Sequence, residues 1–265
     1  MAGDAPLIDV RELTTLKECQ SVDPLFADVW GPDSPPIGVE MLRALSHAGG
    51  YLAGAFHQGS LVGASVGFVA HKSAETLHSH TTGVRSSARG LGVGYLLKEH
   101  QKRWALDRSI ATITWTFDPL VRRNAWFNIT KLRAIPTEYL VDFYGQMPDS
   151  INRSDDSDRL YTVWAVHEQP TVKDDIAEAA QSVLALDGSA PETQHSDADL
   201  VLVATPPDIE GLRQSEPGLA RTWRISLREI LSAELNGGKV VGFTPAGEYV
   251  IRRRSRADTQ SEVAP

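Results

Sequence analysis

The sequence predicts an α/β fold: a mixed, mostly antiparallel sheet flanked by helices, followed by a small C-terminal α/β extension. Two observations carry this. Short apolar segments with strand-like alternation recur between segments of helical period, in the order strand, two helices, three strands, helix, strand, helix, two strands. The second is the run Arg89-Gly90-Leu91-Gly92-Val93-Gly94 at a strand-to-helix junction. Glycine lets a backbone approach a ligand closely. A helix starting there offers unpaired amides and the positive end of its dipole, which suits a pyrophosphate.

The elements follow from local pattern. Ile8 to Glu12 reads as a strand and Leu13 to Trp30 as a helix ending at Gly31-Pro32-Asp33 and Pro35-Pro36. Gly38 to Ala48 reads as a second helix, closed by Gly49-Gly50. Tyr51 to Phe56 and Leu61 to Ala70 are apolar strands about the turn Gln58-Gly59, and Thr76 to Val84 is a third strand of the meander. Gly92 to Asp107 is helical, with Leu96, Leu97, His100 and Trp104 near one face. In Ala111 to Phe117, Ile113, Trp115 and Phe117 alternate with threonines, as a strand requires. Pro119 to Leu132 reads as a helix with proline in its first turn. Tyr139 to Tyr144 and Leu160 to Val166 read as the last strands of a first domain, residues 1–167.

Residues 168–198 are polar apart from a weak helical run at Ile176 to Leu186 and read as a linker. Residues 199–253 read as the extension: a strand at Leu200 to Ala204, a helical turn at Ile209 to Leu212, a helix at Leu219 to Leu235 and a hairpin about Pro245-Ala246-Gly247. So small a unit cannot hold a large core, so it is expected to pack on the first domain. Residues 254–265 read as a disordered tail.

The formal net charge of −8 argues against nucleic acid as a partner. No apolar run is long enough to span a membrane, and Met1 to Asp9 has no signal-peptide pattern, so a cytoplasmic location is the default. The single cysteine, Cys19, excludes an internal disulfide and a cysteine metal cluster, and a buried apolar role is expected for it. No metal is expected.

The glycine run does not fit a dinucleotide fingerprint, because it follows a meander rather than the first strand of a strand–helix–strand unit. Nor does it fit a nucleotide-triphosphate loop, because Tyr95 follows Gly94 where lysine and a hydroxyl residue are needed. Arg89, Gly92 and Gly94, with Val84 five positions earlier, fill the pattern Gln/Arg-x-x-Gly-x-Gly/Ala in register. In this and in element order the chain resembles the GNAT superfamily of N-acetyltransferases. Five further runs make it similar to a large, mostly uncharacterised bacterial and archaeal branch that carries a C-terminal extension. They are Leu77-His78-Ser79-His80, Trp115-Thr116-Phe117-Asp118-Pro119-Leu120, Arg123-Asn124-Ala125, Asp142-Phe143-Tyr144-Gly145 and Ser157-Asp158-Arg159-Leu160.

The resemblance implies acetyl-CoA or another acyl-CoA as co-substrate. Its pyrophosphate would lie on Arg89, Gly90, Leu91, Gly92, Val93, Gly94 and Tyr95, and its pantetheine arm along Thr82, Gly83 and Val84. Gly83 suits a splayed or bulged strand. The acceptor would be a small-molecule amine, an amino acid being one candidate. His78 and His80, two apart on a strand, share a face, and either could take the amine's proton or be structural. Relatives place a thiolate-protonating tyrosine in the helix after the fifth strand. Ile129 stands at that position here, which leaves the acid open among Tyr139, Tyr144 and solvent; Asn128 is a candidate contact for coenzyme A. Asp118 either caps the helix after it or binds a substrate ammonium, and Arg123 and Arg159 are candidates for a substrate carboxylate or a coenzyme phosphate. A homodimer is compatible with the sequence. The alternative to an enzyme is a non-catalytic acyl-CoA-binding or sensing module.

Overall fold

The computed structural model describes residues 8–32, 36–70, 75–145, 147, 155–167 and 179–254. The chain divides into two compact units. The first is Met1–Trp115 with Asp149–Ile151 and Ala165–Glu168; the second is Thr116–Pro148, Asn152–Trp164 and Gln169–Pro265.

In the first unit β1 (Ile8–Glu12), β2 (Tyr51–His57), β3 (Ser60–Val69) and β4 (Thr76–Val84) are antiparallel neighbours in that order. The start of β5 (Thr112–Phe117) joins β4 in parallel. Helix α1 (Leu16–Trp30) opens on a capping box: Thr15 accepts from the Glu18 amide, and the Glu18 carboxylate accepts from the Thr15 amide. These bonds, the Thr15 amide first and the Arg11 guanidinium second, lower the Glu18 pKa to about 2. The α1 stripe Cys19, Val22, Leu25 and Phe26 is buried with Leu52, Ala64 and Val66, and α2 (Val39–His47) adds Leu42. Cys19 is thus a core residue, as its helical spacing implies. Another cluster joins Val93 and Leu97 of α3 (Val93–Leu106) to Ala55, Val62 and Ala88. Gly63 makes this approach possible, since a Cβ there would lie 2.7 Å from Val93 Cγ1.

The second unit holds the end of β5, α4 (Arg122–Ala125) with its π-helical continuation Trp126–Lys131, β6 (Ile135–Leu140) and most of β7 (Arg159–Ala165). It also holds a five-stranded sheet built from β8 (Gln181–Asp187), β9 (Ala190–Thr193), β10 (Leu200–Ala204), β11 (Lys239–Phe243) and β12 (Glu248–Arg252), in the order β11-β12-β10-β8-β9. Helices α5 (Ile209–Ser215) and α6 (Pro217–Leu235) complete it; α6 buries Trp223, Leu227 and Leu231. The C-terminal elements α6 and β11 pack against β6, and β11 also against the Trp126–Lys131 turn.

Four expectations are corrected. Among the described residues, the supposed linker carries the β8–β9 hairpin; it turns at Gly188, φ +58°, and buries Val183 and Leu184. Asp187-Gly188 is a hairpin signal outweighed by the polar composition around it. The strand expected at 139–144 lies at 135–140. It ends because Asp142 takes φ +45° and its carboxylate accepts from the Ser157 amide and hydroxyl. The helix expected from Pro119 begins at Arg122, because Asp118 Oδ1 accepts from the Leu120 amide and Tyr249 donates to the Pro119 carbonyl. The unit boundary falls inside β5 rather than near residue 167, and the extension shares one compact unit with residues 116–148 and 152–164. The expected tail beyond Arg254, the residues before Ile8 and the start of the helical run at 176 lie outside the described residues.

Candidate acyl-CoA site

Pairing between β4 and β5 covers only Thr76–His78 with Thr112–Thr114. Beyond that point β4 runs on through Ser79–Val84 and pairs with β3 alone among the described residues. Its register slips at His80, which is left out between the Val66–Thr81 and Gly67–Ser79 pairs, so β4 is bulged where it leaves β5. A strand freed from one neighbour exposes backbone amides and carbonyls on that side, a template for an extended amide-bearing chain.

Gly83 is required by packing. A Cβ there would lie 2.8 Å from Trp30 Cζ3 and 2.9 Å from Cη2, so α1 closes directly over the strand. The bulge lies at His80 and not at Gly83. Gly83→Ala is expected to displace Trp30 and destabilise the protein by about 1–3 kcal/mol, read from the urea midpoint. Thr82 is tied to Ser65 by a 2.8 Å hydroxyl bond, and Arg85 pairs with Asp28 of α1, fixing the strand's exit into the loop.

The loop descends through a short 3-10 turn at Ser86–Ala88, and Gly90 and Gly92 take left-handed φ of +84° and +73°. Gly92 is the N-cap of α3, with no side chain to cap the helix and no acidic residue in its first turn. The first-turn amides of Val93, Gly94 and Tyr95 are therefore left to an incoming acceptor. Successive amides in such a turn suit an anion, and Arg89 lies within it, while Arg85 before it is paired with Asp28.

His78 and His80 lie on one face with Phe68; the two imidazoles are 6.5 Å apart, and Phe68 is 5.1 Å from His78. His78 Nδ1 meets Thr114 Oγ1 at 3.3 Å, across the last β4–β5 pair. Burial, then the neighbouring His80 and Lys98, lower the His78 pKa to about 4. His78 is therefore neutral at pH 7 and too weak a base for an ammonium proton.

Lys98 of α3 went unnoticed in the sequence. Its side chain is buried, its Nζ donates to Ser79 Oγ at 2.8 Å and Gln101 Oε1 at 3.2 Å, and it lies 4.0 Å from the centre of the Trp115 ring. Burial lowers its pKa to about 7. The spacing Lys98, Gln101, Ala105 on α3 is the signal that could have placed it inward.

The remaining candidates lie in the second unit. Asp118 is buried, and its Oδ2 accepts from Arg213 at 2.6 Å and Arg224 at 2.9 Å; both arginines also bond Asp155. Burial alone would raise the Asp118 pKa, but Arg224 and Arg213 override it and hold the carboxyl far below its usual range. Its Oδ1 accepts from the Leu120 amide in a turn before α4, whose N-cap is Val121 with no side-chain bond. Arg123 pairs with Glu210. Arg159 is buried, bonds the Asp158 carbonyl and lies 5.4 Å over the Tyr144 ring. Asn128 is buried in the π-helical segment beside Ile129. Tyr139 donates to Asp158 Oδ2 at 2.6 Å and is committed there, whereas Tyr144 is 41% exposed with its hydroxyl on Thr116. The structure thus gathers His78, His80, Thr82–Val84 and Arg89–Tyr95 in the first unit, and holds Asp118, Arg123, Asn128 and Arg159 in the second. Among the described residues no group of histidines, cysteines and carboxylates could hold a metal ion, and no helix is long and apolar enough to cross a membrane.

Residues 18–127 match the acetyltransferase (GNAT) family. The fold is similar to the ribosomal-protein-S18-alanine N-acetyltransferase of Escherichia coli, with TM-score 0.50 and 11% identity over 62% of this chain and 97% of that one. It is similar also to yncA of Salmonella typhimurium, solved with its cofactor acetyl-CoA, with TM-score 0.50 and 11% identity over 63% of this chain and 99% of that one. No curated protein matches the sequence.

Proposed function

We propose that this chain, whose residues 18–127 are a domain of the acetyltransferase (GNAT) family, transfers an acyl group from acyl-CoA, acetyl-CoA first among donors, to the nitrogen of a small-molecule amine. The observation that carries the reading is the strand β4, released from β5 after His78 and leading into a glycine loop that starts α3 without a side-chain cap. The loop amides would take the pyrophosphate, with Arg89 beside them, and the free edge at Thr82–Val84 would take the pantetheine amides. An amide on that edge would also polarise the thioester carbonyl.

The amine nitrogen attacks the thioester carbon, a C–N bond forms, and the carbonyl electron pair moves to oxygen. Collapse breaks the C–S bond and the thiolate leaves with that pair. The ammonium proton goes to His80, because burial leaves His78 too weak a base to take it. The thiolate takes its proton from solvent.

His80→Gln is expected to lower kcat by about a hundredfold with little change in the Kd for coenzyme A; full turnover in that variant would remove His80 as the base. The reading itself is tested by thiol release from acetyl-CoA across a panel of amines. Tight binding without turnover for any amine or acyl donor would leave the sensing module instead, which the buried Ile129 at the usual tyrosine position favours.

A further inference from the structure

We infer that Lys98 is a positioning residue that fixes where β4 and β5 part, and so sets the depth of the slot for the acyl-pantetheine arm. The inference rests on the acyl-CoA reading above. The last β4–β5 pair is His78 with Thr114. The next residue of β4 is Ser79, and the next of β5 is Trp115. The single Nζ of Lys98 holds both: it donates to the Ser79 hydroxyl at 2.8 Å and lies 4.0 Å from the Trp115 ring centre. One group anchored on α3 therefore clasps both strands at the first position where their backbone pairing has ended. Gln101, one turn further along α3, accepts a second bond from Nζ and fixes its direction.

The chemistry of the clasp suits that task. Among the described residues no acidic side chain pairs with this group; its partners are a hydroxyl, an amide oxygen and a π face. A buried amino group, charged or neutral, holds such partners tightly, because releasing them would leave its N–H groups unsatisfied away from water. A methionine could fill much of the same volume but would tie neither strand. The Nζ of Lys98 meets Ser79, Gln101 and Trp115, none of them in the loop at Arg89–Gly94, so its effect should fall on the arm of the ligand and not on its phosphates.

The test compares wild type, Lys98→Met and Trp115→Phe, the last keeping a π face under the ammonium. Kd is measured for coenzyme A and for adenosine 3′,5′-bisphosphate, which lacks the pantetheine arm, and amide exchange is followed in the ligand-free proteins. Lys98→Met is expected to weaken coenzyme A about tenfold, to leave the bisphosphate unchanged, and to speed exchange at residues 76–78 and 112–114. Trp115→Phe should lie near wild type. Equal weakening of both ligands, or unchanged coenzyme A affinity and unchanged exchange, would overturn the assignment. If wild type binds neither ligand, the acyl-CoA reading fails; faster exchange at the β4–β5 pairs in Lys98→Met would still bear out the clasp, and unchanged exchange would refute it.

Discussion

Gly92→Asp is expected to abolish coenzyme A binding while leaving the protein folded. The position has φ +73°, which aspartate tolerates better than most residues, and a Cβ there meets nothing within 4 Å. Folding therefore loses about 1 kcal/mol at most. The ligand loses far more. A carboxylate at the N-cap competes for the first-turn amides of α3 and sets a negative charge beside the pyrophosphate. Two like charges a few ångströms apart near a protein surface repel by a few kcal/mol, which corresponds to a loss of about a hundredfold or more in affinity. Calorimetric titration with coenzyme A reads the loss, and circular dichroism checks the fold. Gly92→Asn, which keeps the backbone preference without the charge, should retain most binding. Equal loss in both variants would place the effect in the backbone rather than in phosphate recognition.

Asp118→Ala is expected to destabilise the protein by about 3–5 kcal/mol. The substitution removes Asp118 from Arg213 and Arg224, whose side chains are 2% and 1% exposed and which both also bond Asp155. A buried ion cluster then loses one of its negative charges, and hydrophobic packing cannot answer that loss. The same cluster predicts acid lability. The Asp118 carboxyl, and that of Asp158 bonded to Arg228 and Tyr139, titrate below their usual range despite burial. A carboxylate whose folded pKa is lowered stabilises the fold fully above its unfolded pKa, about 3.9, and that stability is lost as pH falls from there toward the folded value. Urea midpoints measured from pH 6 down to pH 2 should fall steeply below about pH 4 in wild type and much less in Asp118→Ala.

The legible part of this protein was the part written in local spacing. Alternation gave β1 to β5, and helical spacing gave α1, α2, α3 and α6. Three glycines at a junction gave the loop, and two histidines two apart gave a shared face. What stayed hidden depends on distant partners. Asp118 meets residues 95 and 106 positions away, and no periodicity links them. The bulge at His80 shifts the strand by one residue without a glycine or proline to announce it. Lys98 lies in a helix whose period is set by its apolar members, and a lysine's charge ordinarily argues for solvent. The β8–β9 hairpin was masked by its polar surroundings. Several of the five runs that carry the resemblance now have a structural reason. Asp142 and Tyr144 bond Ser157 and Asp158, so two of those runs form one folded knot.

The Asp118 cluster also bears on how the chain is made. Asp118 leaves the ribosome long before its arginines, the nearer of them 95 residues later. At the usual pace of synthesis, about 5–20 residues per second, the acid waits roughly 5–20 s for Arg213 and slightly longer for Arg224. Until then the second unit lacks both arginines that bond Asp118. It therefore closes only after Arg224 has been made, while the first unit, complete by Trp115 but for short returning segments, can begin to fold much sooner.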